Sequence, residues 1–166
     1  MRIGIVVINW NGLELLKKYL KVLIQNSVDH NIYLIDNNSE DESVSYVRNN
    51  YSEVNIINLD KNYGFAEGYN RGILEVKEEF ICIINNDIEV TKDWLKPVEK
   101  KLNNSPNIII QPKILDINKK SFSRCNIFNS GFRCSIKIPR TSVPCIYISI
   151  SIMQRTVIFT YKICIS

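Results

Sequence analysis

The chain has 166 residues, of which 45% are hydrophobic and 23% are charged. This composition is typical of a globular domain and excludes disorder of the whole chain. We expect neither a signal peptide nor a membrane span, because the first residues enter a short apolar run directly and no apolar stretch is long enough to cross a bilayer.

The net charge of +4 comes from two unlike parts of the chain. Residues 1–116 hold all 17 acidic residues and carry a net charge of −4, whereas the remainder carries +8. Cys82 is the single cysteine of the first part, and four others follow, at positions 125, 134, 145 and 164. Their spacing fits no zinc pattern, and a disulfide framework is not expected without a secretion signal. We therefore predict free thiols, and we rank a nucleic-acid-binding protein last because the basic tail lacks a recognisable motif.

The chain opens with a strand, a turn and a helix. Residues 3–8 form a continuous apolar run, which is typical of a buried parallel strand. The run ends at a polar turn, Asn9–Gly12, and residues 13–25 then place apolar side chains at helical spacing. This order predicts the start of a βαβ unit.

A second strand is predicted at residues 32–35, directly before Asp36. Ser39 and Glu42 have the spacing of a capping box, which predicts a helix from Ser39 to about Asn49. Asp36 has two interpretations. It is a turn or helix-capping residue, or it accepts a hydrogen bond from the sugar or base of a nucleotide.

A third strand is predicted at Val54–Asn58, and a stripe of glycines follows it. Gly64, Gly68 and Gly72 recur every four residues, so a helix would place them on one face. Each glycine destabilises a helix by about 1 kcal/mol relative to alanine, so the stripe indicates close approach of a neighbouring element or a ligand. Three loop glycines are the alternative.

The apolar run at residues 80–84 stops abruptly at Asn85, Asn86 and Asp87. Ligands of α/β sheets bind outside the carboxyl ends of the strands, so these polar side chains predict a binding site. Asp87 is the best-placed oxygen donor for a divalent cation. A simple turn is the alternative, because Asn and Asp are common turn residues.

A further helix, capped by Thr91 or Asp93 and carrying Trp94 and Leu95, and a fifth strand at residues 108–110 complete the alternation. Repeated alternation of strand and helix predicts an α/β fold with a mostly parallel, Rossmann-like sheet flanked by helices. His30, the only histidine, is predicted to be a surface residue.

Four segments of the chain together indicate one family: VVINWNG (6–12), YLIDNNSEDES (33–43), NYGFAEGYNRG (62–72) and IINNDIEV (83–90). They resemble segments of the family 2 glycosyltransferases, which are inverting enzymes of the GT-A fold that use nucleotide-sugar donors. They are most similar to the rhamnosyltransferase-like branch of cell-wall and polysaccharide enzymes. The resemblance covers residues 1–116 and ends soon after Lys120, which implies an incomplete GT-A half over 1–120, truncated after its nucleotide-binding part. Residues 121–166 would then be an irregular, aberrant basic tail.

The resemblance also implies a role for particular residues. Those that would line the nucleotide site are Asn9, Asn11, Asp36, Asn62, Gly64, Ala66, Gly68, Asn70, Asn85 and Asn86. Asp36 would bind the nucleoside, and Gly64 and Gly68 would let the nucleotide come close. Residues 85–87 would replace the DXD motif, with Asp87 holding Mg²⁺ or Mn²⁺ on the diphosphate of a UDP or dTDP sugar. Asn85 in place of the first Asp lowers the local negative charge and weakens metal binding.

The general base of the family is an Asp or Glu that lies well after the DXD-like segment. No acidic residue follows Asp116, so we assign no catalytic base. We hypothesise that the tail is an out-of-frame or decayed continuation of a longer gene.

The predicted function is sugar transfer with inversion to a polysaccharide or lipid-linked acceptor, in the cytoplasm at the inner face of the membrane, with little activity of this chain alone. The alternative is a non-catalytic nucleotide-binding module or subunit.

Overall fold

The computed structural model describes residues 1–104, 108–111, 126–129 and 156–160. Strands and helices alternate through the first part of the chain, as predicted. The elements are β1 (Ile3–Asn9), α1 (Leu13–Gln25), β2 (Asn31–Asp36), α2 (Ser43–Asn50), β3 (Val54–Asn58), α3 (Gly64–Gly72), a 3₁₀ turn (Ile73–Glu75), β4 (Phe80–Asn85), α4 (Lys96–Asn104), β5 (Ile108–Gln111), β6 (Asn126–Asn129) and β7 (Thr156–Thr160). Within these ranges, no helix combines the length and the apolar character needed to cross a membrane.

The strands form one sheet in the order β3-β2-β1-β4-β7-β5-β6. Strands β3, β2, β1 and β4 are all parallel, and β6 runs antiparallel to β5. The predicted mostly parallel α/β sheet is therefore confirmed. Two short strands, β6 and β7, lie in the segment predicted to be an irregular tail. The boundary predicted at residue 120 lies outside the described residues.

Helices cover both faces of the sheet. Successive side chains of β1 point to opposite faces, so each face has its own hydrophobic cluster. Ile3, Ile5 and Val7 pack in one cluster with the buried faces of α1, α2 and α4. Val6 and Ile8 point the other way, into a smaller cluster with residues of α3 and the 3₁₀ turn. All of these β1 side chains are buried, which accounts for the unbroken apolar run in the sequence.

Helix α2 begins at Ser43, four residues later than the capping-box pattern predicts. The Ser39 hydroxyl is used elsewhere, since it accepts hydrogen bonds from the Asn11 N–H at 2.9 Å and from the Asn9 amide at 3.1 Å. Asp41 orders the start of the helix instead, because its Oδ1 accepts from the Ser43 N–H at 3.0 Å. The capping-box prediction is therefore wrong.

Helix α4 begins at Lys96, so Trp94 and Leu95 precede it rather than lie on it. Asp93 has a positive φ of 60°, and its main-chain carbonyl accepts from the Lys96 N–H at 3.1 Å. Leu95 is nevertheless buried, and the Trp94 indole donates to Ser27 Oγ at 3.1 Å. The predicted core contacts of this segment therefore form without the predicted helical turn.

The prediction that His30 is a surface residue is wrong. Its side chain is only 6% exposed and lies at the amino edge of the sheet, where Nδ1 accepts from the Ile3 N–H at 3.3 Å. The Glu99 carboxylate lies 3.7 Å from Nε2. Burial lowers the pKa of His30 below its usual value, against the opposing effect of Glu99 and Asp29.

Candidate functional site

The carboxyl ends of β1, β2 and β4 meet at one edge of the sheet. Asn9 lies opposite Asp36, and Ile8 lies opposite Asn85. The chain builds the sheet from β1 outward, toward β2 and β3 on one side and toward β4 on the other. Such a reversal in strand order opens a crevice outside the strand ends, which is where α/β sheets bind ligands. The structure thus brings the residues predicted from separate segments to one place.

Asn9 connects the strand ends at this edge. Its side-chain amide donates to the Ser43 hydroxyl at 2.9 Å and reaches Asp36 Oδ1 at 3.4 Å. Its side-chain oxygen accepts from the Asn86 amide at 3.4 Å. Because Asn9 is only 1% exposed, it lies beneath the predicted pocket and holds Asp36 and Asn86 in register.

Asp36 is also buried, with 4% of its surface exposed. Its Oδ2 accepts from the Ser39 N–H at 3.0 Å, which fixes the carboxylate against the β2–α2 loop. A carboxylate oxygen can accept more than one hydrogen bond, so this arrangement leaves capacity for a ligand donor. Its predicted contact with a nucleoside stays a prediction.

Asn11 ties the loop after β1 to the loop after β2. It is exposed and has a positive φ of 48°. Its side-chain oxygen accepts from the Glu40 N–H at 2.7 Å and from the Asp41 N–H at 3.3 Å. The two loops that would enclose a nucleotide are therefore joined through one amide.

Asn37 contributes to this edge, although the sequence patterns assigned it no role. It is 3% exposed, and its amide donates to Asn62 Oδ1 at 2.8 Å and to the Gly64 carbonyl at 3.0 Å. Its oxygen accepts from the Tyr63 N–H at 3.0 Å. Asn37 thus fixes the turn that contains the predicted site residues Asn62 and Gly64. The only signal in the sequence is its position directly after Asp36.

The glycine stripe lies on helix α3, as predicted, and its members have different environments. A Cβ on Gly72 would overlap Ile35, and one on Gly68 would lie 2.5 Å from Ile8 Cδ1. The sheet is therefore the close neighbour at these positions. Gly64 has a φ of +73° and open space where a Cβ would lie.

Two other predicted site residues lie on α3. Ala66 and Asn70 are half-buried. The side-chain oxygen of Asn70 is buried and has no hydrogen-bond partner among the described residues. A buried acceptor without a partner is uncommon in proteins, and the predicted role of Asn70 in a ligand site stays a prediction.

The end of β4 carries the predicted metal-binding residues. Asn85 and Asp87 are half-buried, and Asn85 Oδ1 lacks a hydrogen-bond partner within the described part of the chain. That part also contains no group of three or more His, Cys, Asp or Glu side chains that could hold a metal ion. The residues nevertheless fit Mg²⁺ or Mn²⁺ at a diphosphate, because such ions take one or two protein oxygens and complete their shell with phosphate and water.

Solved structures with a similar fold include S. aureus TarS and a mannosyltransferase. The structure of S. aureus TarS 1-349 has a TM-score of 0.64 and 15% identity, covering 75% of this chain and 39% of that one. A second structure of that protein is in complex with UDP-GlcNAc. The mannosyltransferase PcManGT from Pyrobaculum calidifontis, in complex with GDP-Man and Mn²⁺, has a TM-score of 0.60 and 18% identity, covering 68% of this chain and 36% of that one. This chain therefore spans well under half the length of these structures, and the likeness establishes the GT-A fold.

The family of the chain follows from its sequence. No curated protein matches the chain. The model of glycosyl transferase family 2 matches residues 4–155, beyond Lys120, where the resemblance was expected to end. The match includes all of the segments that converge on the carboxyl edge of the sheet. The chain belongs to glycosyl transferase family 2.

Proposed function

We propose that the carboxyl edge of the sheet binds the nucleoside diphosphate of a nucleotide sugar, of the UDP or dTDP type. The observation that carries this proposal is the connection made by Asn9, which joins Asp36 to Asn86 at the point where the strand order reverses. An acceptor for the nucleoside and an oxygen donor for a cation on the diphosphate would then lie at neighbouring strand ends. The fold supports this proposal, since similar structures hold UDP-GlcNAc and GDP-Man.

Asp87 and the side-chain oxygen of Asn85 are the groups that would hold Mg²⁺ or Mn²⁺. The cation would neutralise the charge that develops on the departing diphosphate. A similar structure contains Mn²⁺ with its nucleotide sugar, which supports the presence of a cation in this fold. With one carboxylate, the affinity for metal alone should be weak and should rise when diphosphate is present.

The reaction served by this donor site is the transfer of a sugar, with inversion, to a polysaccharide or lipid-linked acceptor in cell-wall or polysaccharide synthesis. We further propose that it takes place in the cytoplasm, at the inner face of the membrane. We assign no general base and no acceptor-binding residue to the described part of the chain.

Calorimetric titration of the full chain with UDP and dTDP, with and without Mn²⁺, tests the proposal. Asp87→Asn removes a charge without changing the side-chain volume, and Asp29→Asn, at an exposed loop near the opposite edge, is the matched control. We expect Mn²⁺ to strengthen binding in the native chain and in Asp29→Asn but not in Asp87→Asn. Equal Mn²⁺ dependence in both variants would overturn the metal assignment, and no binding of either nucleotide would overturn the function.

A non-catalytic nucleotide-binding module or subunit is the second candidate. It is favoured by the sequence after Asp116, which contains no Asp or Glu that could act as a general base. Purified chain that binds UDP but releases none from a UDP-sugar in the presence of acceptor preparations would support this candidate. Transfer by the purified chain alone would exclude it.

A further inference from the structure

The Tyr69 side chain crosses from helix α3 to the backbone of the sheet, close to the proposed nucleotide site. It is fully buried, with 0% of its surface exposed. Its hydroxyl accepts a hydrogen bond from the Ile8 N–H at 3.2 Å and donates to the Ile84 carbonyl at 2.9 Å. The first of these groups belongs to β1 and the second to β4. One hydroxyl therefore joins the two strands that border the crevice.

The two backbone groups are natural partners of one another in a parallel sheet. The Asn37 N–H donates to the Asn9 carbonyl at 2.8 Å, so the backbone groups of Asn9 face β2. Consecutive residues of a strand direct their backbone groups to opposite sides, so those of Ile8 face β4. Ile8 lies opposite Asn85, and the ladder acceptor for its N–H is then the carbonyl of Ile84. The pairing of Ile8 with Asn85 includes this ladder bond, so the Tyr69 hydroxyl lies beside it and contacts both of its groups.

We infer that Tyr69 is a positioning residue, which holds β1 and β4 together at their carboxyl ends and so keeps both sides of the crevice that takes the diphosphate in place. This inference rests on the proposed function for its ligand. The hydroxyl adds a further link between the two strands beside their ladder bond. The residues that directly follow the linked groups are Asn9 and Asn85, so loss of this link should loosen both sides of the site.

The variant Tyr69→Phe tests the inference, because it removes the hydroxyl and retains the ring that packs edge-on against Phe65. Tyr33→Phe is the matched control. Tyr33 is buried in the same cluster on the same face of the sheet, at 5% exposure. Its hydroxyl interacts with Glu78, whose carboxylate accepts from the Asn31 amide at the amino edge. Both variants therefore lose one buried hydroxyl, at opposite ends of the strands.

Two measurements on the full chain separate the outcomes. Hydrogen–deuterium exchange should accelerate in Tyr69→Phe at residues 6–9 and 83–86, and Tyr33→Phe should leave exchange there unchanged. The affinity for UDP with Mn²⁺ should fall about tenfold in Tyr69→Phe, equivalent to about 1.4 kcal/mol, and should be unchanged in Tyr33→Phe.

The inference would be overturned if Tyr69→Phe exchanged at these strand ends as slowly as the native chain does. An equal loss of UDP affinity in both variants would also overturn it. If the native chain binds neither UDP nor dTDP, the proposed function fails. The exchange comparison then decides the role of Tyr69 by itself, because it requires no nucleotide.

Discussion

The amide of Asn9 is the single group whose removal should most disturb the candidate site. Asn9→Ala leaves the Ser43 hydroxyl, Asp36 and the Asn86 amide without a common partner in a buried setting. We expect the free energy of unfolding to fall by about 2–3 kcal/mol, since an unsatisfied buried polar group costs about 1–3 kcal/mol. Urea unfolding followed by circular dichroism measures this change.

Asn50→Ala is the control for that experiment. Asn50 is exposed at the end of α2, where its amide donates to the Tyr46 carbonyl at 2.8 Å. Its substitution should change the free energy of unfolding by no more than about 0.5 kcal/mol. Similar losses in both variants would show that the buried network around Asn9 does not stabilise the fold.

His30 should make the stability of the protein depend on pH. Burial lowers its pKa in the folded state, so the unfolded chain binds a proton at a higher pH than the folded chain does. The free energy of unfolding should therefore fall as the pH drops from about 7.5 through the unfolded pKa of about 6.5 to about 5.5. Urea unfolding across this range measures the loss, and His30→Gln should reduce it. The same slope in both proteins would contradict the assignment.

For individual residues, the sequence predicted the position of some members of the candidate site and not that of others. Asp36 and Asp87 follow apolar runs, and a run that ends in a parallel sheet places the next residue at the carboxyl edge. Asn37 could not be assigned a role, because its partners are fixed by where α3 lies. His30 stands between Asp29 and Asn31, a polar setting that is typical of a surface, and its neighbour Glu99 comes from a helix distant in the sequence.

Among the elements, α3 depends on the absence of a side chain at Gly72. Gly72→Ala should gain about 1 kcal/mol of helix propensity. The new methyl group would overlap Ile35, which is fully buried and cannot move aside. We expect a net loss of about 1–3 kcal/mol, the usual range for overpacking, measured by chemical unfolding.

The double variant Ile35→Ala/Gly72→Ala identifies the cause of that loss. Removal of the Ile35 side chain beyond Cβ makes room for the new methyl group, so the double variant should be more stable than the sum of the single changes predicts. Additive losses would mean that α3 does not press on β2 at this point.

The strands were easier to predict than the starts of the helices. An unbroken run such as residues 3–8 has one stable place in an α/β domain, between two layers of helices. The start of α2 depends instead on which group the Ser39 hydroxyl binds. It accepts from the Asn11 N–H of a neighbouring loop and does not cap a helix that starts at Ser39. A local capping pattern does not contain that long-range partner.

For the whole molecule, ligand binding should appear as added stability. A ligand that binds only the folded state at about 100 times its dissociation constant stabilises the protein by about 2.7 kcal/mol. UDP with Mn²⁺ should therefore raise the melting temperature of the full chain, measured by differential scanning fluorimetry. Removal of the metal with EDTA should abolish most of the increase, and an increase that is insensitive to EDTA would contradict a role for the cation.

The fold class could be predicted because strand and helix patterns alternate, but the strand order could not. Right-handed crossovers still permit several orders for four parallel strands. The observed order places β1 between β2 and β4, and no local pattern in the sequence specifies these two neighbours. This placement brings Asp36 and Asn85 to opposite sides of Asn9.

The central position of β1 has a consequence for synthesis of the protein. As the chain leaves the ribosome, β2 and β3 extend the sheet on one side of β1 and leave its other edge bare until Phe80–Asn85 has emerged. During that interval the nascent protein exposes an unpaired Ile- and Val-rich strand, a template for aggregation. Chaperone dependence should therefore be greatest for chains that end just before β4.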